Sequence, residues 1–234
     1  MRTLITLGLL AVLISAAAAL EQPGLLRADA AAALGAGELS GGRKHNDEQD
    51  KRPNIIFILT DDQDAVMGGD WHMPKLRRHL ANEGINFTSY ITNFALCCPS
   101  RSTILAGQCS HNSGVVGVGG DKQIMNPLGG FQRFNDMGME RKTVAYHLQQ
   151  AGYRTGLVGK YLNGYTRQTA FHVPPGWDRW FGIGEIDYYN WTASDNGVNV
   201  EFGDRDEDYS TDVLTEKGVE FIHQYEQDRR PFFL

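Results

Sequence analysis

A thiol and a guanidinium lie one helical turn apart in Leu96-Cys97-Cys98-Pro99-Ser100-Arg101-Ser102-Thr103-Ile104-Leu105-Ala106-Gly107. Pro99 suits the first position of a helix, where its missing N–H costs nothing and its fixed φ is already helical. Thr103 to Ala106 continue as an apolar turn, and Gly107 is a natural stop. Cys97 then falls just before a helix N-terminus, where unpaired N–H groups and the dipole favour an anion. Arg101 adds a forked cation on the first turn. The chemistry expected is a nucleophile working inside an anion site.

Two acids and a lysine extend the set. Ile55-Ile56-Phe57-Ile58-Leu59-Thr60 ends in Asp61-Asp62-Gln63-Asp64. Ligands of open α/β sheets sit beyond the carboxyl ends of strands, where these acids fall. Adjacent carboxylates repel unless a cation joins them, and oxygen ligands suit Ca²⁺ or Mg²⁺. A turn or a helix N-cap accounts for the same residues equally well. Lys160 follows another apolar run and is a candidate anion ligand, although a lysine after a strand is commonly a plain surface charge. His111, alone in a loop, reads more simply as solvent-exposed than as a ligand.

The elements that must hold these groups alternate. Ile55–Thr60 is a β-branched and aromatic run with the pattern of a strand buried on both faces. Residues 73–83 have Leu76 and Leu80 at helical spacing before Gly84, and Ile85 to Thr92 alternate as a strand. The segment from Gly107 to Met139 has no period and reads as a long active-site loop. Thr143 to Ala151 is a helix with Val144, Ala145, Leu148 and Ala151 inward, closed by Gly152, and Tyr153 to Val158 is the next buried strand. His172 to Trp177 is a turn-rich link. Asp195-Asn196-Gly197 marks a hairpin between 188–194 and 198–202. Asp208 to Glu226 forms a long helix with Val213, Leu214, Val219, Phe221, Ile222 and Tyr225 as its apolar positions, and Phe232-Phe233-Leu234 opens a further strand. The order predicts an α/β fold with a largely parallel central sheet flanked by helices, incomplete at its C-terminal end.

Composition narrows the classes. The chain has 234 residues, 41% hydrophobic and 21% charged, which is globular composition. A net charge of -6 with no Lys/Arg block argues against a nucleic-acid partner. Three cysteines are too few for a disulfide scaffold. Met1-Arg2, an apolar run from Leu4 and Ala17-Ala18-Ala19 read as a signal peptide over 1–19 rather than a membrane span, with no integral membrane segment afterwards. Residues 20–52, Ala/Gly-rich and then polar, read as a flexible leader before a domain over 53–234. The expected location is the secretory pathway: extracellular, periplasmic, cell-wall or lysosomal.

Cys97-Cys98-Pro99-Ser100-Arg101 followed by Ala106-Gly107 resembles the sulfatase signature, Cys-x-Pro-Ser-Arg with a helical tail to Gly. Gly152-Tyr153-Arg154-Thr155 through Gly159-Lys160 resembles the second signature of that alkaline-phosphatase-like family, and Asp61-Asp62 after a buried strand resembles its metal site. Thr60 to Asp64, the doubled cysteine, Gly159-Lys160-Tyr161-Leu162-Asn163 and Tyr188-Tyr189-Asn190-Trp191-Thr192 are similar to the glucosamine-6-sulfatase branch. That branch includes N-acetylglucosamine-6-sulfatases and heparan endosulfatases, with algal arylsulfatases also similar. The resemblance covers 53–234.

It implies a sulfuric ester hydrolase for sulfated sugars or aryl sulfates, with one Ca²⁺. Cys97 would be oxidised by the formylglycine-generating enzyme to formylglycine, whose hydrate attacks sulfur and expels the alcohol. Asp61, Asp62 and position 97 would hold the ion. Arg101 would stabilise the nucleophile and Lys160 the growing charge on sulfate. His111 and Asn163 are candidate substrate-binding residues. Many sulfatases have a His two places after the Lys; Leu162 and Asn163 here point to a subgroup. The family's Asp-Asn ligand pair, a catalytic His and a second Lys come from its later half, so this chain is expected to be an amino-terminal portion that does not turn over alone. Other readings are a phosphodiesterase or phosphonate hydrolase of the same superfamily and an inactive truncated pseudo-sulfatase. Cys98 and Cys109 are left to pair or stay free. Asn190 and Asn86 head glycosylation sequons, Asn86 within a predicted strand.

Overall fold

A computed structural model of the chain describes residues 52–63, 66–119, 129–165, 172–184 and 187–234. The expected signal peptide, the leader up to residue 51 and Asp64 lie outside the described residues. Arg52 is docked: its guanidinium donates to the Ala151 carbonyl and lies 5.0 Å from the centre of the Tyr153 ring.

The helices are α1 (Pro74–Leu76), α2 (Cys97–Ala106), α3 (Ser110–Ser113), α4 (Gly130–Asp136), α5 (Val144–Gln150) and α6 (Ser210–Tyr225). The strands are β1 (Arg154–Lys160), β2 (Arg179–Ile183), β3 (Thr192–Asp195), β4 (Val198–Glu201) and β5 (Phe232–Phe233). They form one sheet in the order β4-β3-β2-β1-β5. β1 lies parallel to both β2 and β5, and Lys160 is opposite Ile183 at the end of its ladder. β3 and β4 add an antiparallel hairpin. The sheet is thus mixed, with its parallel part where the expected site residue Lys160 emerges.

Helix ends follow local chemistry. Gly107 closes α2 at φ +64, its N–H donating to Thr103, a backbone conformation that costs a residue with a side chain more than it costs glycine. Thr143 starts α5 by accepting the Tyr146 N–H on its hydroxyl. The hairpin turns through Asn196 and Gly197, both at positive φ, as its primed turn requires.

Both faces of the sheet are covered. Trp180 points into a cluster with Cys98, Val115, Phe131, Phe134, Met139, Tyr161 and Leu162. The next residue, Phe181, joins Ile183, Trp191, Ala193 and Val213 on the other face. β2 is missing from the expected elements because its apolar run, Trp180-Phe181-Gly182-Ile183, is short and broken by a glycine, so it lacks the continuous run that marks Ile55–Thr60. α6 packs close on β1: a methyl group on Gly156 would meet the Phe221 ring at 2.4 Å.

Several expectations are corrected. Residues 55–57 do enter the sheet, with Ile55 N–H donating to Phe232, Leu234 N–H to Ile55 and Phe57 N–H to Leu234. The pairing stops there among the described residues, so Ile58 and Leu59 are 72% and 43% exposed instead of buried on both faces. Residues 85–92 form no strand; Ile85, Phe87, Tyr90 and Ile91 are all exposed, because no described strand lies beside them to take their hydrogen bonds. The stretch expected as one loop to Met139 contains α3 and α4, the latter burying Phe131 and Phe134. Ala151 is exposed and Val219 is 46% exposed, each lying past the inward stripe of its helix. Residues 73–83 are helical only to Ala81, α1 passing into a wider turn at Arg77–Ala81.

Candidate active site

α2 begins at Cys97, with Leu96 as its extended N-cap. Cys97 is therefore the first helical residue, not the one before it, and Pro99 is the third. Proline is tolerated there because the first turn has no intrahelical acceptor for its N–H in any case. No acid lies in that turn and no side chain caps it, so the helix presents its positive end at Cys97.

Arg101, on the same helix, is 8% exposed and its fork bridges two other segments. Nη1 donates to the Lys160 carbonyl at 3.0 Å and Nη2 to Asp61 Oδ1 at 3.2 Å. Lys160 leaves the end of β1 with its ammonium 2.9 Å from Asp61 Oδ2 and 3.6 Å from Cys97 Sγ. Three elements distant in sequence, the segment after Ile55–Phe57, α2 and β1, so converge on one point.

Asp61 is held as an anion. Burial alone would raise its carboxyl; the Lys160 hydrogen bond and charge, with those of Arg101, outweigh burial and hold it below the ordinary carboxylate range. Asp62 adopts φ +52, which Asp tolerates better than most residues. Successive side chains of extended chain point to opposite sides; the turn at Asp62 breaks that alternation. An oxygen of Asp61, an oxygen of Asp62 and Cys97 Sγ lie within 4.8 Å of one another. The carboxylates suit a hard, oxygen-seeking cation such as Ca²⁺, and the thiol does not. An oxygen-bearing group at position 97 would complete the match.

Cys97, Arg101, Lys160, Asp61 and Asp62 thus come together in the folded chain. The sulfatase family model matches residues 53–234. The chain belongs to the sulfatase family. It is 37% identical over 196 residues to an extracellular sulfatase SULF-1 homolog of Drosophila melanogaster, an alignment covering 82% of this chain and 17% of the relative. It is 36% identical over 192 residues to the N-acetylglucosamine-6-sulfatase of Homo sapiens, covering 79% of this chain and 33% of the relative. A solved structure of a protein in complex with its substrate D-glucosamine-2-N,6-O-disulfate matches with a TM-score of 0.57 and 30% identity, over 78% of this chain and 33% of that one. The chain thus spans from 17% to 33% of the length of these relatives.

Two other expected residues, His111 and Asn163, are not among the groups that meet at Cys97. His111 is exposed on α3 and makes none of the contacts that join Asp61, Arg101, Lys160 and Cys97. Asn163 is engaged with a cysteine: its N–H donates to Cys98 Sγ at 3.1 Å, and its Oδ1 lies 3.3 Å from the same sulfur. Cys98 has no exposed surface, and burial, partly offset by the Asn163 N–H, pushes its thiol up to about 11. All three cysteines are free, with Cys97 half-buried and Cys109 exposed. The sequence held no signal for the Cys98–Asn163 pairing, since the two come from different elements. Among the described residues no helix is long and apolar enough to cross a membrane.

Proposed function

We propose that this chain carries the nucleophile half of a catalytic centre that hydrolyses 6-sulfate esters of glucosamine in glycosaminoglycan-type sugars. The observation that carries the reading is the meeting of Lys160, Arg101 and Asp61 at Cys97 on the positive end of α2. The branch of the family that it matches supports 6-sulfated glucosamine as the substrate, with the whole protein reaching the cell exterior or the lysosome through a signal peptide over 1–19.

Cys97 is the position of the nucleophile, after oxidation to formylglycine by the generating enzyme. Asp61 and Asp62 would hold a Ca²⁺ ion; when bound, it polarises the oxygens of nucleophile and sulfate. Charge counting favours such an ion. Asp61 and Asp62 balance Arg101 and Lys160, so these four groups alone have no net attraction for an anionic ester. A divalent cation on the two acids leaves the site positive.

The chain's own residues then have separate tasks. Lys160, its side chain 9% exposed and its ammonium held by Asp61, donates to the sulfate oxygens as their charge grows. Arg101 is bound on both sides of its fork, so it keeps Asp61 and the Lys160 backbone in place and contributes fixed positive charge. The α2 N-terminus adds unpaired N–H groups at the same spot.

The deciding experiment is sulfate release by the full-length protein, made in a host that has the generating enzyme, from glucosamine 6-sulfate, an aryl sulfate and an aryl phosphodiester. Faster turnover of the glucosamine ester than of the phosphodiester is the expected result. The reverse order assigns the chain to phosphoryl chemistry, and no turnover of any ester assigns it to a binding role.

A further inference from the structure

Cys98 joins two walls of the site. Its sulfur receives the Asn163 N–H at 3.1 Å and is placed to donate to Asn163 Oδ1 at 3.3 Å. The Asn163 carbonyl accepts the Phe131 N–H at 2.8 Å, which ties the same residue to α4. Asn163 is therefore engaged through its N–H, its carbonyl and its side-chain oxygen. Lys160 lies one short turn of chain before it, and Cys97 is the neighbour of Cys98. A separate tie, Arg101 Nη1 to the Lys160 carbonyl, joins the same two elements at 3.0 Å. The two ties add directed hydrogen bonds to the packing of Cys98 in one cluster with Tyr161 and Leu162, so orientation as well as distance is fixed between α2 and the end of β1.

We infer that Cys98 is a positioning residue whose clasp on Asn163 sets the approach of the Lys160 ammonium to position 97. The proposal rests on the sulfatase reading of Cys97 and Lys160. It gives the doubled cysteine two different jobs. The half-buried sulfur is presented for chemistry, and the fully buried one serves as a hydrogen-bonding joint. Asn163 is on this account a partner of the joint and not a contact for the sugar.

The test uses the full-length protein with Cys98→Val, which fills the volume but can neither donate nor accept, and Cys98→Ser, which keeps both capacities. Misplacement of a reacting group by about an ångström costs up to about 100-fold in rate. Cys98→Val is expected to lower kcat by at least about tenfold with KM within about threefold, and Cys98→Ser to recover most of that loss. Hydrogen exchange at the Asn163 amide, measured without substrate, is expected to speed up in Cys98→Val and stay slow in Cys98→Ser. A valine variant with wild-type kcat overturns the proposal, whatever its exchange. Valine and serine variants equally impaired overturn it too, since packing would then be the whole effect. If Cys98→Val does not fold, Asn163→Ala removes the Oδ1 acceptor instead, and unchanged kcat there has the same meaning. If the wild-type protein hydrolyses no sulfate ester, the functional reading fails separately, and slow Asn163 exchange in Cys98→Val alone rejects the clasp.

Discussion

The Lys160 ammonium reaches Asp61 across 2.9 Å of space and 99 residues of chain. Both oxygens of that carboxylate are occupied, one by Lys160 and the other by Arg101. Lys160→Ala removes the ammonium that reaches Cys97 Sγ at 3.6 Å and leaves Asp61 on a single cation. Loss of one such preorganised donor costs about 10²–10³ in kcat. Sulfate release by the full-length variant should fall by about that factor, with export unchanged. Turnover within a few-fold of wild type would remove Lys160 from the catalytic groups.

Cys97 should be found altered, and Cys98 intact, in protein made where the generating enzyme is present. Mass spectrometry of the tryptic peptide ending at Arg101 reads both positions at once. The exposed side of the pair is Cys97, since Cys98 has no accessible surface. Cys97→Ala should abolish turnover while preserving the fold, because position 97 is only half-buried and its alanine fits the first turn of α2. An unaltered thiol at Cys97 in an active preparation contradicts the proposed nucleophile.

Gly156→Ala tests the seat of α6 on β1. Its new methyl would meet three carbons of the Phe221 ring at 2.4 to 2.9 Å. Phe221 is 1% exposed and stands edge-on to Phe232, so it has little room to retreat. Overpacking of this kind costs about 1–3 kcal/mol. Denaturant unfolding of the full-length protein should register that loss; a neutral result would show that the helix can shift.

Asp228 predicts an acid-dependent stability. It accepts from the Arg230 backbone and guanidinium and from Arg154 Nε at 2.8 Å, and these donors, Arg230 foremost, hold its carboxyl far below the ordinary range. A depressed folded value stabilises above the unfolded value, near 3.9, and that contribution is lost as pH falls further. Asp228→Asn should therefore be less stable than wild type at neutral pH, and the gap should close as pH is lowered below about 4. Denaturant midpoints at several pH values measure it. A gap that does not change with pH would mean that the charge of Asp228 contributes nothing.

Asn190 is exposed at φ +54, with Trp191 and Thr192 completing the sequon. Thr192→Ala removes the acceptor sequence and leaves the left-handed Asn in place, which Asn190→Gln would not. In protein secreted from a eukaryotic host, that substitution should lower the mass by one glycan. Asn86 is exposed too, in irregular chain and not in the expected strand, so a second glycan would be lost with Thr88→Ala.

What the sequence disclosed depended on how local the information was. Pro99, Gly107, Thr143 and Asn196-Gly197 act on their own neighbours, and the helices and hairpin they mark are present within a residue or two. Ile58, Leu59 and the 85–92 stretch have strand-like sequence yet are exposed, because strand burial is decided by partners elsewhere in the chain. β2 is not legible because its apolar run is short and broken by Gly182, unlike the continuous run at Ile55–Thr60. At the site, Cys97, Arg101, Lys160 and the acid pair were legible as residue types in family order. The two ties that set their spacing, Arg101 to the Lys160 carbonyl and Cys98 to Asn163, join α2 to the end of β1 and its following turn, and only the folded chain places them together.

The seat of Ile55–Phe57 in the sheet has a temporal side. Its hydrogen bonds go to Phe232 and Leu234, and the Phe232 N–H also reaches Asn54 across 178 residues. On a ribosome adding about 5–20 residues per second, the segment bearing Asp61 is made early and must wait for the last described strand before it can be zipped down. Cys97, Arg101 and Lys160 have all emerged by then. The acid corner is translated before Cys97, Arg101 and Lys160 and gains its anchor in the sheet after them.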